Sequence, residues 1–143
     1  MDDDLIQRAR TVAEELLSAF DVLAAYAYGS RVSGTPRADS DLDVGYFLRG
    51  YRDGARLSLR DELALADRMT DRLGVDVDLR DLAGAPLEVR GRILEEGVRI
   101  YSGDFQERVE LEADTYSRFH DYKAEFEELA RIRLQRIAAR GLG

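Results

Sequence analysis

The chain has no cysteine and no tryptophan, one histidine, two prolines, and no apolar run longer than Val22–Tyr28. Without cysteine there can be no disulfide, thiolate metal ligand or thiol nucleophile, a profile that suits a reducing, cytoplasmic setting. The lone His120 has neither a second histidine nor a cysteine with which to build a zinc site. Val22–Tyr28 falls far short of the about 20 residues that a bilayer span requires. The opening Asp2-Asp3-Asp4 is acidic where a secretory signal is basic. Positive charge is also scarce. Lys and Arg number 21 against 29 Asp and Glu, a net charge of −8. That balance is ill suited to tracking a phosphate backbone, so stable nucleic-acid binding is not expected.

What is present is enough to fold. Hydrophobic residues make up 45% of the 143, sufficient for a core, so residues 1–143 read as one domain. Leu5, Ala9, Val12, Ala13, Leu16 and Leu17 recur at helical spacing over residues 5–18. The run 22–29 reads as a buried central strand ending at Gly29. Residues 29–40, with Gly29, Gly34 and Pro36, are irregular. Residues 42–47 form a second strand with Leu42, Val44 and Tyr46 on one face and Asp41, Asp43 and Gly45 on the other. Residues 48–56 are expected to be a mobile loop, and 57–73 a helix closed by Gly74. Strict alternation over 75–82 predicts a third strand. Pro86 suits the first turn of a helix reaching Glu96, and residues 98–101 suit a short edge strand. Asp104 is placed to cap a helix running to Ala139, with Phe119, Tyr122, Phe126, Leu129 and Ile132 as its stripe. The core thus spans about 5–101 with a helical extension over about 104–139, in an α/β or α+β arrangement.

The chemistry concentrates in the segment from Gly29 to Asp43. Gly29 ends a strand and lacks a Cβ, so the backbone can come close to a ligand there. Ser30 adds a hydroxyl, and the amides of the following turn can face an anion. Ten residues separate Ser30 from Asp41. Asp41 and Asp43 lie two apart on a strand, so both carboxylates leave one face. Two carboxylates on one face repel unless a cation lies between them, and Mg²⁺ takes carboxylates together with substrate phosphates. A third acid on a neighbouring strand would complete a two-metal arrangement. Asp78 is the candidate and Asp76, on the same face, its competitor. Taken singly, Gly29-Ser30 could be an ordinary strand-ending turn and the Asp41/Asp43 pair an ordinary solvated strand face. Their order and spacing together favour a metal–nucleotide site.

Gly29-Ser30, Asp41-Leu42-Asp43 and Asp78 resemble the nucleotidyltransferase superfamily of DNA polymerase β, marked by Gly-Ser, about ten residues, Asp-x-Asp and a later strand acid. Gly29, Ser30, Gly34, Ser40, Asp41 and Asp43 also match the pattern of the minimal nucleotidyltransferases, the MNT-domain antitoxins paired with HEPN-domain toxins. Ala85-Pro86, Arg92-Ile93-Leu94, Glu96-Gly97 and Tyr101 look like this group as well, and the likeness reaches roughly Tyr122. Ser33 departs from it, since many members carry a basic residue there; Arg31 or Arg37 could take that role.

The resemblance implies a small mixed β-sheet flanked by helices, with Asp41, Asp43 and Asp78 as catalytic acids and Mg²⁺ ligands. It implies ATP as substrate, held by Gly29, Ser30, Arg37 and Ser40, and transfer of AMP to a tyrosine of a cognate HEPN toxin in a hetero-oligomer. No Arg-x(4–6)-His element accompanies His120, so the toxin itself is not expected within this chain. Two rivals stay open: a small-molecule nucleotidyltransferase of the aminoglycoside type, and an antitoxin that neutralises by contact alone.

Overall fold

A computed structural model describes residues 3–32 and 41–141. Helix α1 covers Asp3–Leu17 and is followed by a 3-10 turn, Ser18–Phe20. Strands β1 (Val22–Tyr28) and β2 (Leu42–Leu48) come next, then α2 (Leu59–Leu73), β3 (Val77–Asp81), α3 (Leu87–Glu96), β4 (Val98–Ser102) and α4 (Phe105–Ala139). The sheet order is β3-β2-β1-β4. β1 runs antiparallel to both β2 and β4, while β2 and β3 are parallel, so the sheet is mixed as expected. A parallel neighbour needs a long crossover, and α2 supplies it.

Helices lie on both faces. Leu42, Val44, Tyr46 and Leu48 of β2 and Val77 and Leu79 of β3 pack against the apolar stripes of α1 and α2. Leu23, Tyr26, Phe47 and Leu82 pack on the other side with Ile93 and Leu94 of α3 and Leu111 of α4. β1 is central and buried from Val22 to Ala27, which is why it reads as an unbroken apolar run. Gly45 belongs to this second face. A Cβ there would come within 2.6 Å of the Leu82 side chain, so Leu82 fills the space that glycine leaves.

Several boundaries differ from the sequence expectation. Ser58 caps α2 by accepting from the Asp61 amide, so the helix begins at Leu59. β3 begins at Val77 rather than at residue 75. Leu82 leaves the strand for a 3-10 turn, Leu82–Gly84, where the Asp81 carboxylate accepts from the Ala83 amide. The loop expected over 48–56 is more ordered than foreseen. Leu48 belongs to β2, Tyr51–Asp53 form a 3-10 turn, and the Tyr51 ring meets Phe47 edge-on at 5.2 Å. Arg49 also pairs with Glu107 of α4 at 2.8 Å.

The first half of α4 is fastened to the body. Glu112 pairs with Arg99 of β4 at 2.9 Å and with Arg108 at 2.7 Å, and the Tyr116 hydroxyl donates to the Leu94 carbonyl at 2.5 Å. Phe119 is buried against Gly91, where a Cβ would lie 2.1 Å from the ring. Only a glycine lets α3 and α4 approach this closely. Among the described residues no helix is long and apolar enough to cross a membrane.

Candidate active site

The site forms where β1 ends and β2 and β3 run side by side. In register, Tyr28 lies opposite Asp43 across β1 and β2, and Asp43 lies opposite Asp78 across β2 and β3. All three belong to the face opposite Val44 and Leu79, since alternate strand residues share a face. Asp43 is therefore flanked by a phenol and a second carboxylate. Asp41 stands exposed just before β2.

Gly29 has φ +82° and opens a turn closed by the Val32 amide donating to its carbonyl at 3.1 Å. A Cβ at this position would lie 2.2 Å from Asp43 Oδ2. The glycine thus serves two needs, a left-handed backbone and a carboxylate pressed against its Cα. Ser30 follows and is exposed, while Arg31 and Val32 are each 8% exposed. Arg37 and Ser40, with Ser33 and Gly34, lie outside the described residues.

The electrostatics are unfavourable to charge at Asp43. Burial raises its carboxyl above the ordinary value, and the anions Asp78 and Asp41 push the same way, with Arg80 only partly opposing them. Tyr28 is raised too, first by burial and then by Asp43 and Asp78, against the pull of Arg80. Asp78 is paired with Arg80, Oδ2 lying 3.2 Å from both Nε and Nη2. The charges acting on Asp43 are Asp78, Arg80 and Asp41; Asp76 is not among them. Asp76 is exposed ahead of β3, with its carbonyl accepting from the Leu42 amide at 2.8 Å. In register and in field, Asp78 rather than Asp76 lies beside Asp43.

Among the described residues no three acidic or imidazole side chains converge closely enough to form a closed metal cage. Asp78 leans to Arg80, and like carboxylates hold apart. The donor set still suits a hard divalent cation. It offers carboxylate oxygens from adjacent strands on one face, in a half-buried setting whose excess negative charge a cation would offset. Beside Gly29 a cleft of about 260 Å³ opens between β1 and α3, lined by Tyr28, Val89, Arg92, Ile93 and Glu96.

The sequence reading missed Arg80 and Tyr28. Arg80 was legible in principle, because it sits two residues beyond Asp78 and so shares its face. Tyr28 was not, since only the strand register sets it against Asp43.

A mixed four-stranded sheet carrying Gly29-Ser30 at one strand end and paired strand carboxylates beside it defines the nucleotidyltransferase class. The chain belongs to the polymerase beta nucleotidyltransferase family, whose model matches residues 11–106, from α1 to the start of α4. No curated protein matches the chain.

Solved structures do. The chain is similar to a toxin–antitoxin complex component crystallised with AMP-PNP (TM-score 0.65, 21% identity, covering 87% of this chain and 98% of that one). It is similar to the MNT antitoxin in complex with a tri-AMPylated HEPN toxin of Shewanella oneidensis (TM-score 0.61, 21% identity, 90% and 98% covered). A third similar structure is the MntA–HepT toxin–antitoxin (TM-score 0.62, 19% identity, 90% and 98% covered). At these identities the likeness is one of fold.

Proposed function

We propose that this chain is a single-domain, Mg²⁺-dependent protein adenylyltransferase of the cytoplasm, transferring AMP from ATP to a tyrosine hydroxyl of a cognate HEPN toxin and so neutralising it. The observation that carries the reading is Asp43 held between Gly29 and Asp78, a carboxylate pair beside the turn that Gly29 opens. The structures with AMP-PNP and with a tri-AMPylated toxin lend it support through the shared fold.

In this reading the Gly29–Val32 turn presents its amides and the Ser30 hydroxyl to the β- and γ-phosphates. Arg37 and Ser40 add nucleotide contacts. Asp41, Asp43 and Asp78 would hold Mg²⁺, which when bound offsets the charge on the phosphates and on the leaving pyrophosphate. The acceptor oxygen attacks the α-phosphorus in line as the bond to the bridging oxygen of the β-phosphate breaks. Pyrophosphate departs, and Asp78 accepts the hydroxyl proton. Arg80, paired with Asp78, would be placed to neutralise part of the charge at the site. A partner protein that presents its own hydroxyl completes the site.

The test is an incubation with Mg²⁺, ATP and the product of the neighbouring gene, followed by intact masses of both chains. A partner gaining AMP units with the wild type, and none with Asp41→Ala/Asp43→Ala, supports the reading. A tight complex with no mass gain from any of the four nucleoside triphosphates overturns it in favour of neutralisation by contact. Modification of an aminoglycoside without any partner would favour the small-molecule alternative.

A further inference from the structure

Helix α4 is about 52 Å long at 1.5 Å per residue, and its two halves are unlike. Its buried residues, Leu111, Thr115 and Phe119, all fall in the first half. From residue 120 to 139 nothing is buried, yet the apolar stripe goes on: Tyr122 is 40% exposed, Phe126 60%, Leu129 66% and Ile137 38%. A helix of this length gains little from propensity alone, so such a face needs a partner to pack on.

Charge tells which partner. Along residues 121–128 stand Asp121, Glu125, Glu127 and Glu128, with Lys123 as the one cation. Along 131–140 stand Arg131, Arg133, Arg136 and Arg140, with no acid. Glu128 and Arg131 pair with each other, whereas Glu125 and Arg136 make no ion pair among the described residues. At 100° per residue, Glu125 and Arg136 lie on the same flank of the stripe. A segment acidic in its first half and basic in its second complements itself when reversed.

We propose that residues 120–139 of α4 pair antiparallel with the same segment of a second copy of this chain, about a two-fold axis near Ala130. Phe126 then lies over Leu134 of the second copy, and Glu125 beside its Arg136. The symmetry makes each contact twice. A parallel pair would set acid against acid and base against base. The segment lies outside the part matched by the family model, and the pairing is independent of the activity proposed above.

Sedimentation equilibrium of the full chain tests this. The expected result is a mass rising with concentration from 16.1 kDa towards twice that value. Glu125→Arg and Arg136→Glu, both at exposed positions, should each weaken the dimer about tenfold or more, since each sets like charges together twice. An equimolar mixture of the two variants should recover the wild-type association, because each supplies what the other lacks. Arg131→Glu, on the outer face, should leave it unchanged. A wild type that stays monomeric to high concentration overturns the proposal, including one that associates only when a HEPN protein is added. So does a mixture that fails to recover, or single variants that dimerise like the wild type.

Discussion

Substituting Gly29 by alanine separates the two demands placed on that residue. The first is conformational: at φ +82° a Cβ costs about 1–2 kcal/mol. The second is steric, because the new Cβ would sit 2.2 Å from Asp43 Oδ2, where ordinary contact begins at roughly 3.4 Å. The carboxylate must therefore retreat by about 1 Å, and a misplacement of that size costs on the order of 100-fold in rate. Gly74 provides the control. It has φ +73° and nothing within 4 Å of its added Cβ, so Gly74→Ala carries the conformational penalty without the clash. Both variants should melt lower than the wild type by about 2–8 °C, at roughly 2–4 °C per kcal/mol for a chain of this size. Only Gly29→Ala should lose adenylyl transfer, read as AMP units gained by the partner per minute. A Gly29→Ala enzyme that kept the wild-type rate would refute the claim that Gly29 sets the position of Asp43.

Asp43→Asn should abolish transfer while raising the melting temperature at pH 7.5 by about 1–4 °C, the scale of relieving one unfavourable active-site charge. Its raised carboxyl means that the native state favours the protonated form. The ionised group destabilises the fold once pH exceeds its native value, and the difference between variant and wild type should vanish below the ordinary value of 3.8. Thermal melts across that pH range check both ends. Ser58→Ala removes the cap of α2 and should cost about 1 kcal/mol, measured by urea denaturation. Phe119→Ala empties the contact with Gly91 and should cost about 3–5 kcal/mol, with loss of helical signal from α4 in circular dichroism.

Local pattern revealed most of the scaffold. β1 was legible because it is buried on both faces, and β2 because buried Leu42 and Val44 alternate with Asp41 and Asp43. Gly74 and Asp104 marked helix ends by their own chemistry. The misses share a cause. Val75 and Asp76 continue the alternation of β3, but the register begins at Leu42 and Val77, so a non-local partner truncates the strand. Likewise, the order in residues 48–56 comes from Phe47 and Glu107, which no local rule connects to Tyr51 and Arg49. In the site, Asp41 and Asp43 were visible as a spacing and the family resemblance favoured Asp78 over Asp76, whereas that Asp78 stands beside Asp43 is seen only in the strand register. Tyr28 needed it too.

The same register explains why the site is strained while its surroundings are not. The face of β2 and β3 that meets α1 and α2 is filled by Leu42, Val44, Val77 and Leu79 and asks nothing more of the chain. The opposite face has two carboxylates in adjacent rows, a phenol beside them and one arginine to balance them. Moving either acid one position along its strand would turn it into the apolar layer, so the pairing depends on the register that sets Asp43 beside Asp78. Replacing Asp78 by asparagine should therefore lower the Asp43 carboxyl towards its ordinary range, because the largest charge opposing its ionisation is gone. Carbon-13 NMR titration of the Asp43 carboxyl would register that downward shift. A titration unchanged by the substitution would mean that the two side chains do not share a field, and the two-carboxylate site would fall with it.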